Sequence, residues 1–114
     1  MVIFVCLFSD VHGNLTKKPQ NALVLRGKDA FLNCSSDLAP TDGKNPVGWD
    51  YDLGIIFSLP CTPHSKAFVA TAPDSTTDCN IRAVGSSQHG ISGVYRCQDS
   101  NGDKAVAVVI VLGE

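Results

Sequence analysis

The sequence has no apolar run long enough to cross a bilayer. The longest are residues 2–8 and 105–112, against the roughly 20 residues that a helical span needs. Charge is scarce and balanced: charged residues make up 18% of the 114, the formal net charge is −2, and no run of either sign stands out. The basic footprint that nucleic-acid binding requires is therefore missing. No two cysteines stand at C-x-x-C spacing and no two histidines at H-x-x-x-H spacing, which argues against a zinc site and a thioredoxin-type redox pair. No serine sits in a G-x-S-x-G elbow, and residues 85–90 lack the lysine and the strand–loop–helix setting of a phosphate-binding loop. His12, His64 and His89 are scattered through loop-like sequence. These absences leave no expected catalytic residue, metal or cofactor, and the chain is expected not to be an enzyme.

What is present points to a secreted β domain. Hydrophobic residues make up 44% of a chain of single-domain length, enough for one core. Five cysteines in so short a chain indicate an oxidising compartment. Two N-glycosylation tripeptides, at Asn14-Leu15-Thr16 and Asn33-Cys34-Ser35, fit an extracellular location. Residues 1–8 read as the apolar part of a secretory signal without a preceding Lys or Arg, the alternative being an ordered extra strand. The chain thus divides into a leading segment, 1–15, and a domain, 16–114.

No helical stripe is evident. Apolar residues alternate with period two, and turn residues recur about every ten positions, the pattern of many short strands. The predicted strands are Ala22–Leu25, 30–34, 47–51, 55–59, 68–72, 79–84, 93–98 and Lys104–Leu112, with a loop over 35–46. The last two form the clearest hairpin, around the Asn101-Gly102 turn signal. With those two residues as the turn centre, Gln98 pairs with Ala105, Cys97 with Val106, Tyr95 with Val108 and Val94 with Val109. That register predicts Val106, Val108, Ile110 and Leu112 on the core face. Ala105, Ala107, Val109 and Val111 are then expected to face outward with Val94 and Arg96. A water-facing strand is ordinarily polar, so a strand apolar on both faces marks a candidate interface, made of Asp50, Val94, Arg96, Gln98, Ala105, Ala107, Val109 and Val111. The competing readings are crude β propensity, cover by the leading segment, and a plain surface ion pair between Asp50 and Arg96.

Cys34, Trp49 and Gly93-Val-Tyr95-Arg-Cys97 belong together. A cysteine on an early strand, a tryptophan on the next, and G-x-Y-x-C before the last strand resemble the immunoglobulin superfamily over residues 19–112. Cys79-Asn-Ile81-Arg-Ala-Val84 is similar to that family's L-x-I-x-x-V strand E. The resemblance implies an all-β, immunoglobulin-like Greek-key sandwich of two antiparallel sheets, of variable (V-set) or intermediate (I-set) type. It implies a Cys34–Cys97 bridge between the sheets, Trp49 packed on it and Tyr95 tying a corner. That pairing leaves Cys61 and Cys79 as a second bridge, or as two buried thiols. Cys6 is then discarded with a signal or left for an intermolecular bond.

Three departures matter. Ile91 stands where the family often has an aspartate, the G-x-G bulge of antigen receptors is missing, and residues 99–103 are too few for a large antigen-reading loop. A rearranging receptor is disfavoured. The expected function is extracellular recognition, in an immune-type receptor or adhesion module that forms a homodimer or pairs with a related immunoglobulin-like domain through the outer face of the C-F-G sheet. Alternatives are one structural module of a longer adhesion ectodomain, or a soluble binding protein using loops 37–45 and 99–103.

Overall fold

Short strands with one apolar face each can bury that face only against a second sheet, and the chain does so. The computed structural model describes residues 14–40, 42–52, 56–61, 64–66, 68–71, 73, 75–87 and 90–113. The leading residues 1–13, with Cys6 and His12, lie outside the described residues, as does His89. The strands are β1 (Leu15–Lys17), β2 (Ala22–Leu25), β3 (Ala30–Leu32), β4 (Ser35–Ser36), β5 (Val47–Asp52), β6 (Ile56–Pro60), β7 (His64–Lys66), β8 (Val69–Thr71), β9 (Ile81–Ala83), β10 (Gly93–Asp99) and β11 (Lys104–Leu112). A five-stranded sheet runs β2-β11-β10-β5-β6, a four-stranded sheet runs β3-β9-β8-β7, and β1 pairs with β4. Pairing is antiparallel except between β2 and β11, which is parallel. Sequence reading missed β1, β4 and β7, which are two or three residues long and too short to show a period.

The core is organised around Trp49, which is 2% exposed. Its indole N–H donates to the Cys79 carbonyl oxygen at 2.7 Å, and the Cys79 N–H donates to the Cys34 carbonyl oxygen at 2.7 Å. Cys34 is bridged to Cys97 and Cys61 to Cys79, so both cross-links meet around one indole. Closing loops of 63 and 18 residues, they restrict the unfolded chain by roughly 3–4 kcal/mol each in the chain-entropy account. Tyr95 donates from its hydroxyl to the Ile91 carbonyl oxygen at 2.8 Å, and Tyr51 to that of Ser92 at 2.7 Å. Both phenols are held above their ordinary pKa by burial, Tyr95 further by its Tyr51 neighbour. Ile91 itself is buried. Where an aspartate salt bridge is missing, two tyrosines fix the turn into β10. An ion pair between Arg82 and Asp29 at 3.1 Å closes the same end, and Asp29 also accepts the Gly85 N–H at 2.9 Å.

The hairpin phase is opposite to the sequence expectation. Tyr95 lies across from Ala107, Cys97 from Ala105 and Gly93 from Val109. Ala107 and Val109 are 0% and 1% exposed, and Ala105 and Val111 pack against the core. These four were expected outward and are the inner face of β11. The cause is loop length. Gly102 N–H bonds the Asp99 carbonyl oxygen, and Asp99 N–H bonds that of Asp103, so the loop holds three residues rather than two. Gly102, at φ 90°, supplies the left-handed residue that such a loop needs after its type I turn. The Asp99 carboxylate accepts the N–H groups of Asn101 and Asp103 at 2.9 and 3.0 Å, fixing the turn from inside. One added loop residue shifts the register by one and turns every side chain of β11 over.

Candidate recognition face

In the observed register, the outer face of the five-stranded sheet is composed strand by strand of side chains from β11, β2, β10 and β5. On β11 it carries Val106, Val108, Ile110 and Leu112. Parallel pairing sets Leu23 beside Ile110 and Leu25 beside Leu112. Leu23, Leu25, Val106, Ile110 and Leu112 are between 46% and 68% exposed, and half-buried Val94 on β10 continues the strip opposite Val108. Side chains of this size in water are informative when contiguous rather than scattered. Leu23 and Leu25 had no sequence signal: β2 alternates cleanly, but its partner strand, and hence its solvent face, is decided only by the crossover.

A polar zone borders the strip. Arg96 faces Val106 on one side and Asp50 on the other, and its guanidinium donates to the Asp50 carboxylate at 2.8 Å. The pair's side chains are 40% and 20% exposed, so its contribution to stability is small. Gln98, half-buried, follows Arg96 along β10. Of the eight residues expected to form the interface, the fold therefore brings together Asp50, Val94, Arg96 and Gln98, and turns Ala105, Ala107, Val109 and Val111 away.

The two loops considered as an alternative recognition element meet at one end of the sandwich. Asn14 donates from Nδ2 to Asp37 at 3.1 Å and accepts from Asn101 Nδ2 at 2.8 Å. The backbone N–H groups of Asn14 and Leu15 both donate to one Asp103 oxygen at 3.0 Å. The Leu15 bond is the main influence holding the Asp103 carboxyl below its ordinary value. Leu15 is buried, so the sandwich already includes residues 14 and 15, ahead of the boundary read at 16. Asn33, by contrast, is exposed on the outer side of the four-stranded sheet. Among the described residues no group of three or more His, Cys, Asp or Glu could hold a metal ion, and no helix is long and apolar enough to cross a membrane.

No protein-family model and no curated protein sequence matches the chain. Solved structures do. The N-terminal Ig1-2 module of the Drosophila receptor protein tyrosine phosphatase DLAR is similar with a TM-score of 0.62 and 17% identity, over 85% of this chain and 47% of that one. Titin domain I81 is similar with a TM-score of 0.63 and 17% identity, over 87% and 95%. The complex of Dpr1 IG1 bound to DIP-eta IG1 gives a TM-score of 0.59 and 17% identity, over 86% and 93%. The chain spans about half the length of the DLAR fragment and nearly all of the titin domain. Together with the sheet order and the bridged Cys34 and Cys97, these likenesses define the class: the chain is an immunoglobulin-fold β-sandwich.

Proposed function

We propose that this domain is an extracellular recognition module of the adhesion or receptor kind, and that it pairs homotypically through the outer face of β2, β11, β10 and β5. The observation that carries the reading is the exposed strip of Leu23, Leu25, Val106, Ile110 and Leu112 beside the Arg96–Asp50 pair. An apolar centre with a charged margin is the composition of protein interfaces. The face measures about 30 Å along β11 and roughly 20 Å across the sheet, of the order of the ~800 Å² that each partner gives to a standard interface. The Dpr1 and DIP-eta domains, similar in fold, are described as bound to one another, which supports a role for such domains in pairing.

The test is sedimentation velocity over a hundredfold concentration range, with and without reductant, on the native chain and on Ile110→Arg. A reductant-insensitive dimer that Ile110→Arg dissociates supports the reading. A dimer that persists in Ile110→Arg moves pairing to another surface. A monomer at every concentration ends the homotypic reading and favours the second one, in which the strip packs on a neighbouring domain of a longer ectodomain. The tandem arrangement of the DLAR fragment is what favours that alternative.

A further inference from the structure

The two glycosylation tripeptides sit in opposite environments. Asn14 is half-buried and both ends of its amide are engaged, Nδ2 with Asp37 and Oδ1 with Asn101. A sugar on that nitrogen would leave it a single N–H and would have to enter the junction between two loops. Asn33 is exposed. Along residues 30–34 the side chains alternate between buried and exposed, with Ala30, Leu32 and Cys34 inside and Phe31 and Asn33 outside. Residues two apart on an extended chain share a face, their Cα atoms roughly 6.5 Å apart. Phe31 is 68% exposed. It belongs to the four-stranded sheet, away from the apolar strip of β2 and β11, and its cross-strand neighbour is Arg82. An aromatic ring that could bury 150–250 Å² is thus left in water two residues before an exposed acceptor asparagine.

We propose that Asn33 carries an N-linked glycan whose first sugar packs on the Phe31 ring, and that Asn14 remains unmodified. The donor is a polyprenyl-pyrophosphate-linked oligosaccharide of the secretory pathway. Asn33 Nδ2 attacks its anomeric carbon; the C1–O bond to the pyrophosphate breaks, a C1–N bond forms, one amide proton is released and the polyprenyl pyrophosphate leaves. Transfer acts on the extended nascent chain, before Cys34 is bridged, so the later burial of Cys34 does not oppose it. A glycan at Asn14 would instead hinder closure of the Asp37–Asn14–Asn101 junction on folding, so the folded, secreted protein is expected to carry Asn14 unmodified. In the folded domain the C–H face of the sugar meets the electron-rich ring face, a contact of the kind that aromatic rings favour. The glycan then covers Phe31 on the sheet opposite the proposed pairing face, and its presence is tested independently of pairing.

The full chain is secreted from insect or mammalian cells, and site occupancy is read by peptide mass spectrometry after enzymatic deglycosylation in heavy-oxygen water. The expected result is heavy-oxygen Asp at position 33 and unmodified Asn14. An unoccupied Asn33, or a glycan at Asn14, overturns the assignment. The role of Phe31 is read from a double-mutant cycle in melting temperature. Asn33→Gln is expected to lower the Tm of the secreted protein by roughly 3–6 °C, the scale of one aromatic contact in a domain of this size. In a Phe31→Ala background the same change should have no effect. An equal drop in both backgrounds removes Phe31 from the sugar contact. Both substitutions are at exposed positions, so loss of folding does not obscure the result.

Discussion

The two faces of β11 differ in a way that runs against the usual arrangement. The inner face carries Ala105, Ala107, Val109 and Val111, and the outer face Val106, Val108, Ile110 and Leu112, so the larger side chains are the ones in water. The inner set is small because its partners are large. Ala107 lies opposite Tyr95, Ala105 opposite the bridged Cys97, and Val109, bulkier than either alanine, opposite Gly93. Cross-strand volumes are complementary, as a close-packed interior demands. Nothing in the interior asks for Ile110 or Leu112 outside. Their size there is not required by the packing of the fold, which is why the outer strip carries the proposed functional reading and the inner one does not.

The sharpest break of that comparison is the same substitution on each face. Val109→Arg places an unpaired charge in the core and should destabilise the domain by about 4 kcal/mol or more, a large part of the stability of a domain this size. Ile110→Arg, one residue away, should change stability by no more than about 0.5 kcal/mol while weakening self-association at least tenfold. Thermal melts and sedimentation velocity on the two proteins decide both halves. Equal melting temperatures would mean that the two faces are not distinguished as described.

A second pair tests the volume argument. Ala107→Leu overfills the space beside Tyr95 and should cost about 1–3 kcal/mol, whereas Val108→Leu, on the half-exposed outer side, should be near neutral. Denaturant midpoints at constant slope would show this. A neutral Ala107→Leu would mean that the Tyr95 side has room to spare. Below these in size comes Gly102→Ala, which puts a Cβ on a left-handed residue and should cost roughly 1 kcal/mol. It acts on the loop that sets the phase, so hydrogen exchange should show the loss concentrated at the β10–β11 end.

Much of the fold was legible because it rests on residue types that act at fixed spacing. Cys34, Trp49, Tyr95 and Cys97 each have one geometric part to play between two sheets. The phase of the last hairpin departs from the Asn-Gly expectation for a reason that the residues themselves carry. Asp99-Ser-Asn-Gly102 has aspartate at the first position of a type I turn and glycine at the fourth, which signals a three-residue loop and overrides the two-residue turn that Asn-Gly alone suggests. The candidate face was therefore half legible. Asp50, Val94, Arg96 and Gln98 follow from strands whose parity is fixed by Trp49 and Cys97. The β11 residues hang on the loop length, and Leu23 and Leu25 on a parallel partner that no local pattern names.

The smallest predicted effect concerns the acid residue that ends the loop. Asp103 lies immediately before β11 and binds the Asn14 and Leu15 N–H groups through one oxygen, so it joins the start of the sandwich to the hairpin. The Leu15 N–H is the main cause of its lowered pKa; partial burial opposes this, and the Asn14 N–H and nearby Lys18 add to it. Asp29 is lowered in the same direction, chiefly by the Gly85 N–H. A carboxyl whose folded pKa lies below its unfolded one takes up protons more readily when unfolded, so stability rises with pH through that window. The contribution is complete above the ordinary value of 3.8 and is lost as pH falls through the lower folded values. Melting temperature should therefore drop between about pH 4 and pH 2, with a shallower drop in Asp103→Asn and in Asp29→Asn. If Asp103→Asn leaves the acid slope unchanged, the clamp contributes nothing measurable, and the phase of β11 is held by the Tyr95–Ala107 and Gly93–Val109 packing and the Gly102 loop alone.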